Sequence, residues 1–506
     1  MCMTEPFQKA QRAPKDSFSR DKYDKSLIAL QLILIVSGFV FLSFRISRGP
    51  LVDYDEAYYA QVTMDTLDSG DFLSLKYLDG YYLEKPPLYF WLSITSVKIF
   101  GEQELAFRLP SVLLAVGSAW LIFLIVRRLT RNSTIAVSAF YTLLFTPQFF
   151  AFSREARVDS GVIFCILLAL YFLLAGWRNR KKLFWIFPAV AVGFMFKATI
   201  AGLALPVLLI FSLAYRQWSW LKSRILWYGL LPATLIVVPW HWLQLQRFGS
   251  EFWDKYFIRV MFGSTVSRIA GGVNPWLYSE VIREYYIPWL FVVLSLIVFT
   301  AILKVWQRKV YKIPRALIAS FFCGSFILLV FSLFQTKLST YILPIFPFFA
   351  MFIAIGFFDI FFGFRISKNV AGILFVPFLV WSSFICIKAV NVLVTPVHYE
   401  ERALGLAARQ ELPYPAPLYL LDWPYHDTIR YYADTDLKLL APASRGELLK
   451  GPLYFASHRE AMPFFYDSGG VIRSQYKDLK LVYKGKFFFL FYSDSDLTLP
   501  DFGGGG

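Results

Sequence analysis

Residues 27–44, LIALQLILIVSGFVFLSF, form an apolar stretch long enough to cross a bilayer. A charged, tyrosine-rich insert, residues 47–106, separates it from the next apolar run. The insert contains Asp53-Tyr54-Asp55-Glu56 and Tyr81-Tyr82-Leu83-Glu84-Lys85-Pro86-Pro87. Because charged side chains are costly beside lipid, an insert of this kind between spans is a candidate functional site.

The composition is typical of a polytopic membrane protein. Of 506 residues, 57% are hydrophobic and 17% charged, whereas a soluble chain carries about a quarter charged residues. We predict a mainly α-helical membrane domain, residues 27–392, of about 11–13 spans. Its further apolar runs lie near 107–126, 133–150, 160–177, 183–196, 199–214, 225–243, 287–305, 315–334, 340–363 and 371–391.

The net charge of +16 is explained by topology rather than by nucleic-acid binding. Lysine and arginine cluster in alternate loops, which the positive-inside rule assigns to the cytoplasm together with the basic tail, residues 1–26. Arg45 and Arg48 oppose this bias but are outweighed. The ionisable residues that then fall on the outer side are Asp55, Glu56, Glu84, Lys85, Arg154, Glu155, Arg157, Asp159, Lys197, Arg268 and Lys337.

Local patterns predict the elements of the outer segments. Residues 55–70 have helical spacing and end at glycine, so we expect a helix on the membrane surface. Pro86-Pro87 predicts the start of a second helix over 88–100. Residues 244–286 are expected to form a long outer loop. Residues 393–502 predict a small extracytoplasmic α/β domain, and 503–506 a flexible tail.

Asp55 is the first candidate for chemistry. One interpretation makes Asp53 a helix cap and Asp55 and Glu56 first-turn acids that favour the helix dipole. The other makes Asp55 a carboxylate base that removes a proton from an acceptor. Asp159 precedes a span on the same side and could converge with it, although a surface salt-bridge cluster is the alternative.

The outer cations are candidates for holding a phosphate, whose charge must be stabilised as it leaves. They are Lys85, Lys197, Lys337 and Arg268, with Tyr82 and Tyr341 as neighbours. The alternative for lysines at span ends is that they reach toward lipid headgroups. No nucleotide-binding glycine motif and no nucleophile elbow occurs, which favours a lipid-borne donor.

Several motifs resemble the bacterial aminoarabinose transferases, membrane glycosyltransferases of the C-type superfamily near the protein O-mannosyltransferases. They are Asp-Glu-Ala-x-Tyr-Ala at 55–60, Ser-Gly-Asp at 69–71, Glu-Lys-Pro-Pro-Leu-Tyr-x-Trp-Leu at 84–92 and Thr-Lys-Leu-Ser-Thr-Tyr-Ile-Leu-Pro at 336–344. The likeness follows the membrane part in order and includes Asp159 and Phe196-Lys197.

The resemblance implies inverting transfer of a sugar from a polyprenyl-phosphate donor to a lipid A-like glycolipid acceptor. It makes Asp55 the catalytic acid/base. It implies that Lys85, Arg268 and Tyr341 hold the donor phosphate, with Tyr82 and Asp159 in the pocket. Glu56, Glu84, Lys197 and Lys337 are further pocket candidates.

Two departures from the family pattern concern the metal and the sugar. Glu84 matches a residue that helps to bind zinc in a relative, but residues 250–270 contain no histidine to complete the site. The loop 262–268 also differs, so the sugar is left open. A protein O-glycosyltransferase and a lipid or ion transporter remain the alternatives, although the transporter predicts mid-span acids and inverted repeats.

Overall fold

The computed structural model describes residues 25–52, 55–263, 276–306, 312–364, 366–393, 396–413, 416–421, 427–440, 448–459 and 478–498. Most of the predicted basic tail, the tail 503–506 and Arg268 lie outside these ranges. The described chain is mostly helical, with short strands near residue 80 and a sheet after residue 416.

The membrane part is a succession of helices connected by short segments. Its α-helices are α1 Lys25–Ser43, α2 Glu56–Ser69, α3 Leu88–Phe100, α4 Glu104–Thr130, α5 Ser133–Leu144, α6 Pro147–Phe152, α7 Asp159–Gly176, α8 Ile186–Ala201, α9 Ala204–Tyr215, α10 Arg224–Tyr228, α11 Leu230–Phe248, α12 Ser250–Phe252, α13 Leu277–Trp306, α14 Arg315–Leu333, α15 Ile345–Gly363 and α16 Lys368–Leu393. Shorter helical segments are Arg180–Trp185 and Ser339–Ile342, both 3₁₀, and the π-helix Trp253–Gly263.

Within the described ranges, eight helices are long and apolar enough to cross a membrane. They are Lys25–Ser43, Glu104–Thr130, Asp159–Gly176, Arg180–Ala201, Arg224–Phe248, Arg315–Leu333, Ile345–Gly363 and Asn369–Lys388. Shorter apolar helices lie at Leu88–Phe100, Ser133–Leu144, Ala204–Tyr215 and Leu290–Trp306. Helices that are apolar on most faces are buried in protein or in lipid, and the chain is a multi-pass membrane protein.

Three expectations about the extents of helices and loops were wrong in detail. The run at 133–150 is two helices, because Pro147 disfavours helix at the residue before it. The run at 340–363 becomes an α-helix only after Pro344, so Tyr341 lies in a 3₁₀ turn before the span. The expected loop at 244–286 is partly helical, since Phe252 and Tyr256 pack with Trp240 in an apolar cluster.

The two helices predicted in the insert are confirmed. Helix α2 ends at Gly70, whose positive φ of 69° suits a residue without a Cβ. Helix α3 follows Pro87 and ends at Gly101. More of α2 is buried than a surface helix would bury, because helix α18, Asp427–Ala433, and α3 both pack against it.

The C-terminal region contains a mixed five-stranded sheet with the strand order β4-β3-β6-β8-β7. The strands of the chain are β1 Lys76–Tyr77, β2 Gly80–Tyr81, β3 Leu418–Leu421, β4 Leu437–Leu440, β5 Leu448–Leu449, β6 Leu453–His458, β7 Leu479–Lys484, β8 Phe488–Ser493 and β9 Leu497–Thr498. Strand β3 is parallel to β4 and β6, in register Leu418↔Leu437 and Leu418↔Tyr454, and β7 and β8 form an antiparallel hairpin.

Two helices cover one face of this sheet. Helix α17, Pro396–Glu411, and α18 contribute Leu404 and Ile429 to a core with Leu418. The sequence predicts short strands at Leu418–Leu421 and Leu437–Leu440, a helix near Asp427–Ala433 between them, and a hairpin over Leu479–Phe491; the structure confirms these elements.

Candidate active site

Asp55, Arg157, Asp159 and Lys197 form a continuous series of ion pairs. The Arg157 guanidinium pairs with Asp55 and lies 3.5 Å, from Nε, from Oδ2 of Asp159. The other oxygen of Asp159 accepts a hydrogen bond from Lys197 Nζ at 2.8 Å. The Asp55 side chain is 33% exposed and that of Asp159 only 6%, so Asp55 is the carboxylate that a substrate can reach.

The geometry of Asp55 differs from that of a helix cap. Asp55 occupies the N-cap position of α2, but its side chain makes no capping hydrogen bond. Its carboxylate turns instead to Arg157, which lies in the segment between α6 and α7. Asp53, the other candidate cap, lies outside the described residues.

The Asp159–Lys197 pair depends on a close approach of α7 and α8. Lys197 has the extended backbone angles φ −161° and ψ 96°, which interrupt α8. A Cβ on Gly161 would lie 2.5 Å from the ring of Phe196, so only glycine permits this contact. Asp159 lies two residues before Gly161, and Lys197 directly follows Phe196. The close approach of the two helices therefore brings the two charged side chains together.

The backbone of Arg157 is fixed by the side chain of Ser111. The hydroxyl of Ser111 accepts from the Arg157 N–H at 3.1 Å and lies 3.0 Å from the Arg157 carbonyl oxygen. Tyr89 in turn lies 3.2 Å from the Ser111 hydroxyl. Burial alone would lower the pKa of Arg157, but Asp55 and Glu155 raise it, so the guanidinium stays charged.

Glu155 is a third acid on the same guanidinium. Its Oε2 accepts from Arg157 Nη1 at 3.2 Å. Burial raises the pKa of Glu155 to about 7, although Arg157 opposes the shift. The cluster therefore contains one acid that changes charge near neutral pH.

Lys85 is a partly enclosed cation, and within the described ranges it has neither an ion pair nor a hydrogen bond from its ammonium group. Burial and the charge of Lys197 lower the pKa of Lys85, and Glu84 and Asp55 oppose that shift. The two lysines and Asp55 are thus close enough to influence one another. An uncompensated, partly buried ammonium group is a suitable receptor for an anion.

Tyr82 lies in an aromatic wall that it forms with Tyr58 and Phe90. Its ring lies 5.4 Å from that of Tyr58 and 5.6 Å from that of Phe90. Burial, followed by neighbours that include Glu84 and Asp55, raises the pKa of Tyr82. The phenol therefore stays protonated and can donate a hydrogen bond.

Tyr341 and Lys337 belong to the segment between α14 and α15. Lys197 Nζ lies 5.1 Å from the centre of the Tyr341 ring, which places Tyr341 next to the ion-pair series. Lys337 Nζ donates to the carbonyl oxygen of Phe334 at 2.6 Å. The structure thus brings Tyr341 to the cluster and gives Lys337 a backbone partner one turn away.

Glu56 faces away from Asp55, into the protein. Arg108 binds both of its carboxylate oxygens at 2.7 Å, and the backbone N–H of Ala156 donates to it at 2.9 Å. At 2% exposure, Glu56 is out of reach of a substrate. This geometry favours a structural role, in which Glu56 joins the start of α2 to α4 and to the segment before α7.

The residues around Glu84 do not fit a zinc site. No group of three or more His, Cys, Asp or Glu side chains that could hold a metal ion occurs among the residues that the structure describes. Structural and catalytic zinc sites take at least three protein ligands.

Sequence reasoning named Arg157 and Glu155 only as part of a charged cluster. Arg157 is important because it contacts Asp55, about a hundred positions away, which no local pattern encodes, and Glu155 is important because it pairs with Arg157. The signal available was the density of charge in 154–159 directly before an apolar run. Arg268, predicted to bind the donor phosphate, lies outside the described residues.

The family model described as dolichyl-phosphate-mannose-protein mannosyltransferase matches residues 84–242. A Pseudomonas paraeruginosa protein named undecaprenyl phosphate-alpha-4-amino-4-deoxy-L-arabinose arabinosyl transferase is 30% identical over 327 residues, which cover 62% of this chain and 56% of that protein. The chain thus spans just over half the length of the named transferases that it matches. An uncharacterized protein of Aquifex aeolicus is 31% identical over 334 residues, covering 65% of this chain and 73% of the relative.

A solved structure has the same fold. The crystal structure of ArnT from Cupriavidus metallidurans bound to undecaprenyl phosphate superposes with a TM-score of 0.68 at 17% identity. The superposition covers 92% of this chain and 98% of that one. The chain therefore follows one known architecture over nearly its whole length. The chain is thus similar in sequence to named aminoarabinose transferases over 62% of its length, and it has the fold of a solved ArnT structure.

Proposed function

We propose that this protein transfers a sugar from a polyprenyl-phosphate donor to an acceptor in the cell envelope, on the outer face of the inner membrane. The observation that carries the proposal is the ion-pair series that holds the partly exposed carboxylate of Asp55, in a chain whose insert also presents Lys85, an ammonium group without an ion-pair partner among the described residues. A reaction that activates an acceptor and releases a phosphate needs a base for the acceptor and a cation for the phosphate, and Asp55 and Lys85 are groups of these two kinds.

Asp55 acts on the acceptor. Its carboxylate takes the proton of an acceptor hydroxyl while the oxygen attacks the sugar carbon that is bonded to phosphate. If the acceptor is itself an ionised phosphate, Asp55 orients it without removing a proton. Attack in line with the departing oxygen inverts the sugar carbon. Arg157 fixes the direction of Asp55, because it is anchored to two further acids.

Lys85 acts on the leaving group. The bond between the sugar carbon and the phosphate oxygen breaks, and the phosphate leaves with the electron pair. A lysine ~4 Å from that oxygen stabilises the charge by about 4 kcal/mol at an effective dielectric of roughly 20. We assign Tyr82, Tyr341 and Arg268 to the same phosphate pocket, and Lys197 to holding Asp159 in place.

The proposed orientation follows from the charge pattern. The basic loops and the tail 1–26 face the cytoplasm, while the insert 47–106 and the C-terminal α/β domain, 393–502, face outward. We take 27–392 as the transferase domain. The ion-pair series then opens to the outer side, where a lipid-borne donor is available without a soluble nucleotide.

We propose a lipid A-like glycolipid as the acceptor, because relatives that match this chain at 28–30% identity are named as aminoarabinose transferases. A protein acceptor is the second candidate, since the matching family model describes protein mannosyltransferases.

Mass spectrometry of lipid A and of envelope glycoproteins, with and without the gene, tests the proposal and separates the two acceptors. We expect a sugar on one of them to disappear on deletion. Wild-type protein should restore it, and Lys98→Ala, which removes an exposed lysine on α3, should restore it equally. Lys85→Ala should not. Identical lipid and protein glycans in the deletion strain would contradict the proposal.

A further inference from the structure

The C-terminal domain binds the backbone segment that leads into Asp55. Helix α18 holds both backbone polar groups of Leu51. The hydroxyl of Tyr432 accepts from the Leu51 N–H at 3.0 Å, and the hydroxyl of Thr428 donates to the Leu51 carbonyl oxygen at 3.0 Å. Leu51 and Thr428 are completely buried, so water does not replace either bond.

This hold extends from Leu51 to the start of α2. The N–H of Val52 donates to the Glu56 carboxylate at 3.2 Å, and the Val52 carbonyl accepts from the Ala57 N–H at 3.2 Å. Asp55 lies between these anchors. The Tyr432 hydroxyl also lies 3.0 Å from Glu104 at the start of α4, so α18 is itself fixed to the membrane part.

A second contact from α18 reaches the aromatic wall. Arg430 Nη1 donates to the Tyr77 hydroxyl at 2.6 Å, and the Tyr77 ring lies 4.4 Å from that of Tyr58. Tyr58 packs on Tyr82 beside the proposed phosphate pocket. Helix α18 therefore contacts both the segment before Asp55, at Leu51, and Tyr77, which packs on the aromatic wall.

We infer that the C-terminal α/β domain positions the catalytic carboxylate, and that Thr428 and Tyr432 are positioning residues that act through Leu51. This inference rests on the proposed function of Asp55. The domain sequence contains no catalytic motif of its own, and the domain supplies no group to the ion-pair series among the described residues. Its contribution is to limit the freedom of the segment before Asp55.

The chain offers matched controls within the same helix and domain. Thr428→Val removes one bond to Leu51, whereas Thr428→Ser retains the hydroxyl. Thr435→Val removes an equivalent bond, to the Ala416 carbonyl oxygen at 2.7 Å, that stays inside the domain. Tyr432→Phe is matched by Tyr431→Phe, which loses a 3.2 Å contact to Glu102 and leaves Leu51 untouched.

The test combines amide exchange and kinetics on the full-length protein in lipid nanodiscs. In the double variant Thr428→Val/Tyr432→Phe, amides of residues 49–57 should exchange faster, and kcat should fall about 10- to 100-fold with a roughly unchanged KM for the donor. The single variant Thr428→Ser, which keeps Tyr432 and a hydroxyl at position 428, should have the wild-type kcat. Both control variants, Thr435→Val and Tyr431→Phe, should behave as wild type.

The two claims fail differently. Unchanged exchange at residues 49–57 in the double variant overturns the positioning role, whether or not the protein transfers a sugar. Faster exchange with an unchanged kcat also overturns it. A wild-type protein that transfers no sugar to any envelope acceptor contradicts the proposed function, while the exchange measurement still reports on the contact with Leu51.

Discussion

Adjacent acids in one helical turn have different environments here. Asp55 and Glu56 differ by about 100° around the helix axis, so Glu56 points inward to Arg108 and Asp55 points to Arg157 at the edge of the site. Both guanidinium groups are buried, but only Asp55 retains an exposed oxygen. The division of roles therefore comes from direction rather than residue type.

At the level of single residues, the charge of Lys85 should control binding of the donor phosphate. Because burial and Lys197 lower the pKa of Lys85 from the ordinary lysine value of 10.5, binding is expected to be present below that lowered pKa. Binding should be lost as the pH rises through it. In Lys85→Arg the guanidinium stays charged, so the alkaline loss should disappear even if the affinity is lower.

Titration of a polyprenyl phosphate against the purified protein, repeated at increasing pH, measures this effect. Lys98→Arg on the exposed face of α3 is the control and should retain the wild-type pH profile. An alkaline loss of equal size in Lys85→Arg would show that another group is responsible.

At the scale of elements, the packing of α7 on α8 sets the distance between Asp159 and Lys197. Gly161→Ala would place a methyl group 2.5 Å from the ring of Phe196, which is itself buried. Overpacking of this kind costs about 1–3 kcal/mol and should move α8. We therefore expect a lower unfolding temperature and a transfer rate reduced about tenfold or more.

Gly202→Ala is the matched control, because its new methyl group would meet only the Thr199 carbonyl oxygen at an ordinary 3.8 Å. The double variant Gly161→Ala/Phe196→Leu should recover part of the loss by making room. Wild-type stability and rate in Gly161→Ala would contradict the role given to this contact.

Elements whose ends are marked by proline or glycine were the most predictable from sequence. Pro86-Pro87 and Gly101 bound α3 at both ends, and Lys484-Gly485-Lys486 marks the turn between β7 and β8. Tyr341 was misplaced within a span because hydropathy alone does not register the interruption at Pro344. The helical character of 253–263 was missed because it depends on packing against Trp240, a distant residue.

The site could be predicted only in part. Asp55, Lys85, Asp159 and Lys197 were identified from charge near span ends, and the structure joins Asp55, Asp159 and Lys197 in one series of ion pairs through Arg157. The bridging function of Arg157 could not be predicted, because nothing in the local sequence distinguishes Arg157 from Arg154, the other arginine in 154–159. Long-range contacts of this kind are fixed by helix packing.

At the scale of the whole molecule, the account requires one side of the membrane for all reacting groups. In a Cys2→Ser background, Asp79→Cys in the exposed turn of the insert should react with an impermeant maleimide in intact spheroplasts. Arg131→Cys, after α4, should react only after permeabilisation. The other three cysteines are buried and give little background.

The same assay distinguishes a transferase from a transporter. Lys85→Cys should be labelled from the outer face only, because the site opens to one side. Labelling of this position from both faces would indicate alternating access and favour a transporter.

The most direct test of the central claim is the rate of sugar transfer by Asp55→Asn in lipid vesicles, with Asp68→Asn on the exposed end of α2 as the control. Loss of a general base predicts a rate about 10²- to 10⁴-fold lower in Asp55→Asn, at an unchanged unfolding temperature, with Asp68→Asn equal to wild type. Full turnover by folded Asp55→Asn would contradict the proposed mechanism.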